Sequence, residues 1–250
     1  MIRLTRHPAV FRGDTAAVET LFARPAAAPR VLPSAPVLES WNAADHPDQR
    51  RLSAYLDEIE ALIGAYVPTT SDHLTLELTV GLPASTALTS GGRDLDNYLL
   101  PIARRVGHRR LDAVFGRKQH ADASTIAVGL PAQESSSPGE PQLQLRTTGS
   151  TESPAWKQRI HGACSAVIGT PLPQGSVALC IRFGVSSARN WSTLWKPTID
   201  ALGPLLGTQN PLKPFRPSDD RIVDLALHRT IDDALGNDVG IDIWWQQPIS

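Results

Sequence analysis

Hydrophobic positions along the chain fall into short blocks of two different periods. Over residues 73–82, Leu74, Leu76, Leu78, Val80 and Leu82 alternate with Thr75, Glu77 and Thr79, the period-two pattern of a half-buried strand. Just before it, Leu52, Leu56, Ile59, Leu62 and Ile63 recur at helical spacing, with Asp45-His46-Pro47 ahead and Gly64 behind. This predicts an amphipathic helix over 48–63. An apolar helix is expected over 98–106 and strands over 124–130 and 142–147, separated by a Ser/Gly/Pro-rich turn at 131–141. Further on, the pattern predicts a helix over 156–168, a strand over 177–185, a helix over 196–206, and strands over 221–228 and 239–245. At the N-terminus a short helix is expected over 14–24 and a short strand over 37–41. Between them Pro25, Pro29, Pro33 and Pro36 dictate an extended arm.

The order of these blocks repeats. Gly64 matches Gly169, Gly81 matches Gly184, Asp96 matches Asp200 and Asp122 matches Asp220, each about a hundred residues apart. The pattern implies duplication of a helix–strand–helix–strand–strand unit. The expected class is α/β (α+β): an arm at 1–36, one unit at 37–150 and a second at 151–250. Each unit would hold a small mixed sheet and two helices, and the two would pack as a pseudo-dimer within one chain.

Composition narrows the picture only moderately. With 250 residues, 41% of them hydrophobic, the chain can bury substantial cores. A net charge of −1 gives no global field for nucleic acid, but Arg104, Arg105, His108, Arg109, Arg110, Arg117, Lys118 and His120 crowd one stretch. Such a crowd is either a solvated face or a phosphate-binding surface. The two cysteines, Cys164 and Cys180, sit in apolar surroundings and read as core residues of a reducing compartment. No apolar run is long enough to span a bilayer and no secretory leader is evident, so a cytoplasmic protein with no membrane partner is expected.

The candidate chemistry lies where the first strand pattern gives way to a helix, at Gly91-Gly92-Arg93-Asp94-Leu95-Asp96-Asn97. Glycines let the backbone approach a ligand, and a helix N-terminus carries partial positive charge. Asp94 and Asp96, at i and i+2, point the same way on an extended backbone and could bind one Mg²⁺ (or Mn²⁺) through oxygen. The alternative is that one of them merely caps the helix.

The duplicated unit resembles the RusA family of Holliday-junction resolvases. That family is marked by an Asp-x-Asp-Asn motif opening a helix, often after Arg or Lys-Pro, and by an Asp-Asp pair just ahead of a strand. Asp94-Leu95-Asp96-Asn97 matches the first mark, and Asp122 ahead of Ser124-Thr125-Ile126 is matched to the catalytic Asp of the second. The later copy, Lys196-Pro197-Thr198-Ile199-Asp200-Ala201, keeps the frame but loses one Asp and the Asn, while Asp219-Asp220-Arg221-Ile222 is the better copy of the pair. The resemblance implies two RusA-like units and a Mg²⁺-dependent endonuclease acting on branched, Holliday junction-like DNA. Its complete catalytic and metal site would be Asp94, Asp96 and Asp122, with a degenerate one at Asp200, Asp219 and Asp220. DNA phosphates would be held by Arg93, Arg104, Arg105, Arg109, Arg110, Arg117 and Lys118. The family lysine one turn after the motif is replaced here by Leu100 or Pro101, and by Pro204 in the second copy. Its absence keeps open a catalytically inactive nucleic-acid-binding or scaffold protein.

Overall fold

The computed structural model describes residues 21–39, 42–43, 45–64, 73–135 and 139–247. Thirteen elements are seen among them: β1 (Arg30–Val31), α1 (Pro47–Gly64), β2 (Leu74–Leu82), α2 (Leu95–Val106), β3 (Leu111–His120), β4 (Thr125–Gly129), β5 (Leu143–Thr148), α3 (Pro154–Val167), β6 (Val177–Val185), α4 (Trp195–Asp200), α5 (Gly203–Leu206), β7 (Ile222–Ile231) and β8 (Asp238–Gln246). Short 3₁₀ turns lie at His108–Arg110, Trp191–Leu194, Asp219–Arg221 and Asp233–Leu235.

All eight strands join in one mixed sheet, in the order β1-β4-β2-β3-β7-β6-β8-β5. β2 and β3 run parallel, as do β6 and β7; every other pairing is antiparallel. The order reads the same way inward from both edges: edge strand, antiparallel neighbour, then a parallel pair reaching the centre. At the centre β3 meets β7 with Phe115 opposite Ala226, flanked evenly by Ala113–His228 and Arg117–Asp224. Each parallel pair also slips register at its first residue, between Leu74 and Thr75 in one half and between Val177 and Ala178 in the other.

The register explains the core. Leu76, Val114, Leu227, Ile181, Ile243 and Leu143 line up across six strands, and all are buried. Each such side chain contributes roughly 1.5–3 kcal/mol relative to exposure. The helices cover this face, with α2 packed on β3 and β7, α1 and α4 beside α2, and α3 beside α4 and α5. Gly116 lets α2 come close, because a Cβ there would stand 3.0 Å from the Leu99 side chain. On the opposite face run Glu77, Phe115, Ala226, Cys180 and Trp244. The arm crosses it: Arg24 ion-pairs with Glu77 and Asp224, stands 5.0 Å over the Phe115 ring, and Phe22 stacks on His228.

Several expectations shift. β3, the most buried strand, lies in the stretch read only as basic, because a central strand covered on both faces shows no alternation. The helix expected over 196–206 is broken into α4 and α5 around Ala201 and Leu202. β5, counted with the first unit, pairs with β8 at the far edge of the second half. The arm is extended as expected, and Arg30–Val31 pairs with β4. The helix expected over 14–24 lies outside the described residues as far as residue 20, and 21–24 are not helical. Of the strand expected over 37–41, residues 40 and 41 lie outside them and 37–39 form no strand. No helix among the described residues is long and apolar enough to cross a membrane.

Candidate metal centre

The helix-opening loop is built as its glycines require. Gly91 (φ 88°) and Gly92 (φ 66°) take left-handed conformations, turning the chain from the loop after β2 into α2. Asp94 then occupies the N-cap position in extended backbone (φ −74°, ψ 127°), but its carboxylate caps no backbone N–H. Instead Asn97 Nδ2 donates to Asp94 Oδ2 at 2.9 Å, and Asp94 Oδ1 is buried with no hydrogen-bond partner. Asp96, two residues later and the second residue of α2, is 2% exposed. A capping role therefore leaves both carboxylates unexplained.

A third carboxylate arrives from the far half of the chain. Asp219 stands in the 3₁₀ turn ahead of β7, and oxygens of Asp94, Asp96 and Asp219 all lie within 4.8 Å of one another, close enough to hold a metal ion. That turn is held rigidly. Arg221 donates to the carbonyls of Gly175 (3.0 Å), Leu206 (2.7 Å), Leu172 (3.3 Å) and Pro173. Lys118, near the end of β3, ties the two halves of the site together by donating to Asp220 O at 2.6 Å and Arg93 O at 3.1 Å. Gly92 N–H adds a contact to Asp220 Oδ2 at 3.4 Å. From α4, Lys196 places its ammonium among Asp96, Asp200 and Asp219, and Lys157 ion-pairs with Asp200 at 2.6 Å.

These surroundings set the protonation chemistry. Burial, together with neighbouring carboxylates and against Lys196, raises Asp96 to about 6 and Asp219 to about 6. Burial and Asp96 raise Asp94 as well. Burial lowers Lys118 to about 8 despite the Asp220 and Asp94 charges nearby. For Lys196, burial works downward, but Asp96, Asp200 and Asp219 outweigh it and hold the ammonium above its ordinary range. Crowded carboxylates that resist ionising together are relieved by a proton or by a cation; oxygen donors of this kind suit hard divalent ions.

The expected residue set is thus partly regrouped. Asp122 is exposed in the turn between β3 and β4 and is not among the three converging carboxylates. The expected match of Asp122 to Asp220 leaves out β3, the strand that directly precedes Asp122. Counting from the Phe115–Ala226 pair, the position corresponding to Asp220 is Arg109, six residues before Phe115. Asp219 and Asp220, assigned to a second, degenerate site, stand with the first. Asp200 stands there too, 3.4 Å from Lys196 Nζ, and the stretch ahead of β3 is His108-Arg109-Arg110, so none of the expected set forms a separate second centre. The counterpart of Lys118 is Arg229, three residues beyond Ala226. It pairs at 2.6 Å with buried Asp112, which also meets His73 at 2.8 Å. Trp191 Nε1 closes the place by donating to His108 O at 2.8 Å.

Nor do the basic residues form one surface. Arg104 pairs with Glu39, and Arg105 pairs with Glu60 at 2.7 Å and with Asp57. Arg117 meets Asp224 at 3.2 Å on the sheet face away from the helices. Arg93 donates to Ser90 O at 3.0 Å, Arg109 is exposed, and Arg110 is half-buried. Lys196 is a further residue of the site, and the Lys-Pro frame ahead of Thr198 is the signal in the sequence that marks it. No protein-family model matches the chain, and no curated protein matches it either.

Proposed function

We propose that this chain is a divalent-metal-dependent endonuclease that hydrolyses phosphodiester bonds in branched DNA, built as two RusA-like units fused into an internal pseudo-dimer. The observation that carries the reading is the convergence of Asp94, Asp96 and Asp219 from two halves of one sheet, with Asp94 Oδ1 buried and lacking a partner. The palindromic strand order and the even register about Phe115–Ala226 support the duplication. The donor set is all oxygen and fits Mg²⁺ or Mn²⁺, held by Asp94, Asp96 and Asp219. Bound there, the ion would neutralise charge developing on the scissile phosphate and lower the pKa of a water molecule.

The chain's own groups do the rest. Lys118 fixes the spacing between the Arg93 carbonyl and the Asp219–Asp220 turn, and so holds the carboxylates at their separation. Two lysines from outside the motif, Lys118 and Lys196, bring positive charge to the place where the family resemblance called for one. One complete centre predicts nicks in single strands, not paired cuts. A second reading, a nucleic-acid-binding protein of the same fold without catalysis, is favoured by the Lys196 ammonium that already stands among Asp96, Asp200 and Asp219. Labelled four-way junction, flap and linear duplex DNA, incubated with Mg²⁺, with Mn²⁺ and with a chelator, separate the two. Metal-dependent cutting of branched DNA is the expected result; binding without cutting supports the second reading, and neither binding nor cutting removes both.

A further inference from the structure

We infer that Lys196 is a built-in cation standing in the second cation position of the acidic centre, so that the chain binds one divalent ion where its carboxylates would otherwise take two. This rests on the metal-centre reading above.

The Lys196 ammonium sits among three carboxylates. Its Nζ lies 3.5 Å from Asp96 Oδ2, 3.4 Å from Asp200 Oδ1 and 3.6 Å from Asp219 Oδ2. The three distances are nearly equal and longer than the roughly 2.7–3.2 Å of a directed hydrogen bond. It is centred among carboxylates from α2, α4 and the turn ahead of β7, as an ion would be. Its reach also leaves a place beside it: Asp94 Oδ1 is buried and unpartnered, and Asp94 shares with Asp96 and Asp219 the set that can hold a metal.

Charge points the same way: Lys196 is the positive charge that Asp96, Asp200 and Asp219 share, and a neutral side chain in its place leaves those three carboxylates with one cation fewer. The ammonium comes from one half only. Two residues ahead of Asp94 stands Gly92, whereas two ahead of Thr198 stands Lys196. The fused chain can therefore keep a lysine on one side of its axis, which a symmetric dimer could not.

The test is metal counting, independent of turnover. Wild type, Lys196→Met, Lys196→Gln and Lys196→Arg are titrated with Mn²⁺, with free ion followed by electron paramagnetic resonance and heat by calorimetry. Circular dichroism melts establish that each variant is folded, and the Gln variant serves if the Met variant is not. The expected result is one Mn²⁺ per chain for wild type and Lys196→Arg. The neutral variants should bind two, with the broadened spectrum of a coupled pair. Two ions in wild type, or one in a neutral variant at unchanged affinity, overturns the inference alone. No Mn²⁺ bound by any of the proteins overturns the metal-centre reading and the inference together.

Discussion

Replacing Asp96 by Asn should stabilise the metal-free protein while abolishing its metal binding. Asp96 is 2% exposed and its pKa is raised from 3.8 to about 6, chiefly by burial. A carboxylate whose folded pKa exceeds its unfolded value destabilises the fold wherever it must be ionised. Stability is therefore lowest above the folded pKa and recovers as pH falls from about 6 toward 3.8, where the folded protein binds the extra proton. At about 1.36 kcal/mol per pKa unit, the shift corresponds to roughly 3 kcal/mol at pH 8. Asn removes that cost but also one partner of Lys196, which keeps Asp200 and Asp219, so a net gain of about 1–3 kcal/mol is expected. For a chain of this size that is a rise of roughly 2–10 °C in Tm. Thermal melts in chelator from pH 8 to pH 5 should show wild type gaining stability as pH falls, with a shallower rise for Asp96→Asn. Adding Mg²⁺ should raise the wild-type Tm by mass action and leave the variant unmoved. A variant less stable than wild type at pH 8 in chelator would refute the claim that this carboxylate is held in place against its own desolvation.

Four further outcomes follow from particular residues. Gly81→Ala places a Cβ 2.2 Å from the Ala123 carbonyl oxygen, so urea denaturation should show a loss of about 1–3 kcal/mol or more; an unchanged midpoint would contradict the packing of β2 against the β3–β4 turn. Asp112→Ala strands the Arg229 guanidinium, 7% exposed, and should cost roughly 3–5 kcal/mol by the same measurement. Arg105→Ala should leave affinity for branched DNA nearly unchanged, because that guanidinium is bound to Asp57 and Glu60. Exposed Arg109, replaced by Ala, should weaken binding and flatten its salt dependence in fluorescence anisotropy titrations.

How far the fold could be read depended on whether burial leaves a pattern. β2 and β6 declared themselves because their half-covered ends alternate, and α1 and α3 because each buries one stripe. β3 did not, since Asp112 and Lys118 point into the helix-covered layer and Arg117 into the arm-covered one, giving charged letters to the sheet's central strand. Asp122 lies in the turn after that strand, and the carboxylate that joins Asp94 and Asp96 is Asp219. The Asp94/Asp96 pair was legible, being local to one helix start. Its third member was not, because Asp219 is brought there only by the antiparallel β3–β7 junction. The break between α4 and α5 has a local sign in Gly203-Pro204, because Pro204 has no N–H to continue the helix and sits in the first turn of α5.

Whether one centre is shared across the sheet's midline decides the function proposed for this chain. Cleavage of a labelled four-way junction in Mg²⁺ by wild type, Asp96→Asn, Asp219→Asn and Asp122→Asn tests it most directly. Loss of cutting in the Asp96 and Asp219 variants, with the Asp122 variant retaining wild-type activity, is the predicted result. Retained cutting in Asp219→Asn, or loss in Asp122→Asn with its fold intact, would contradict it.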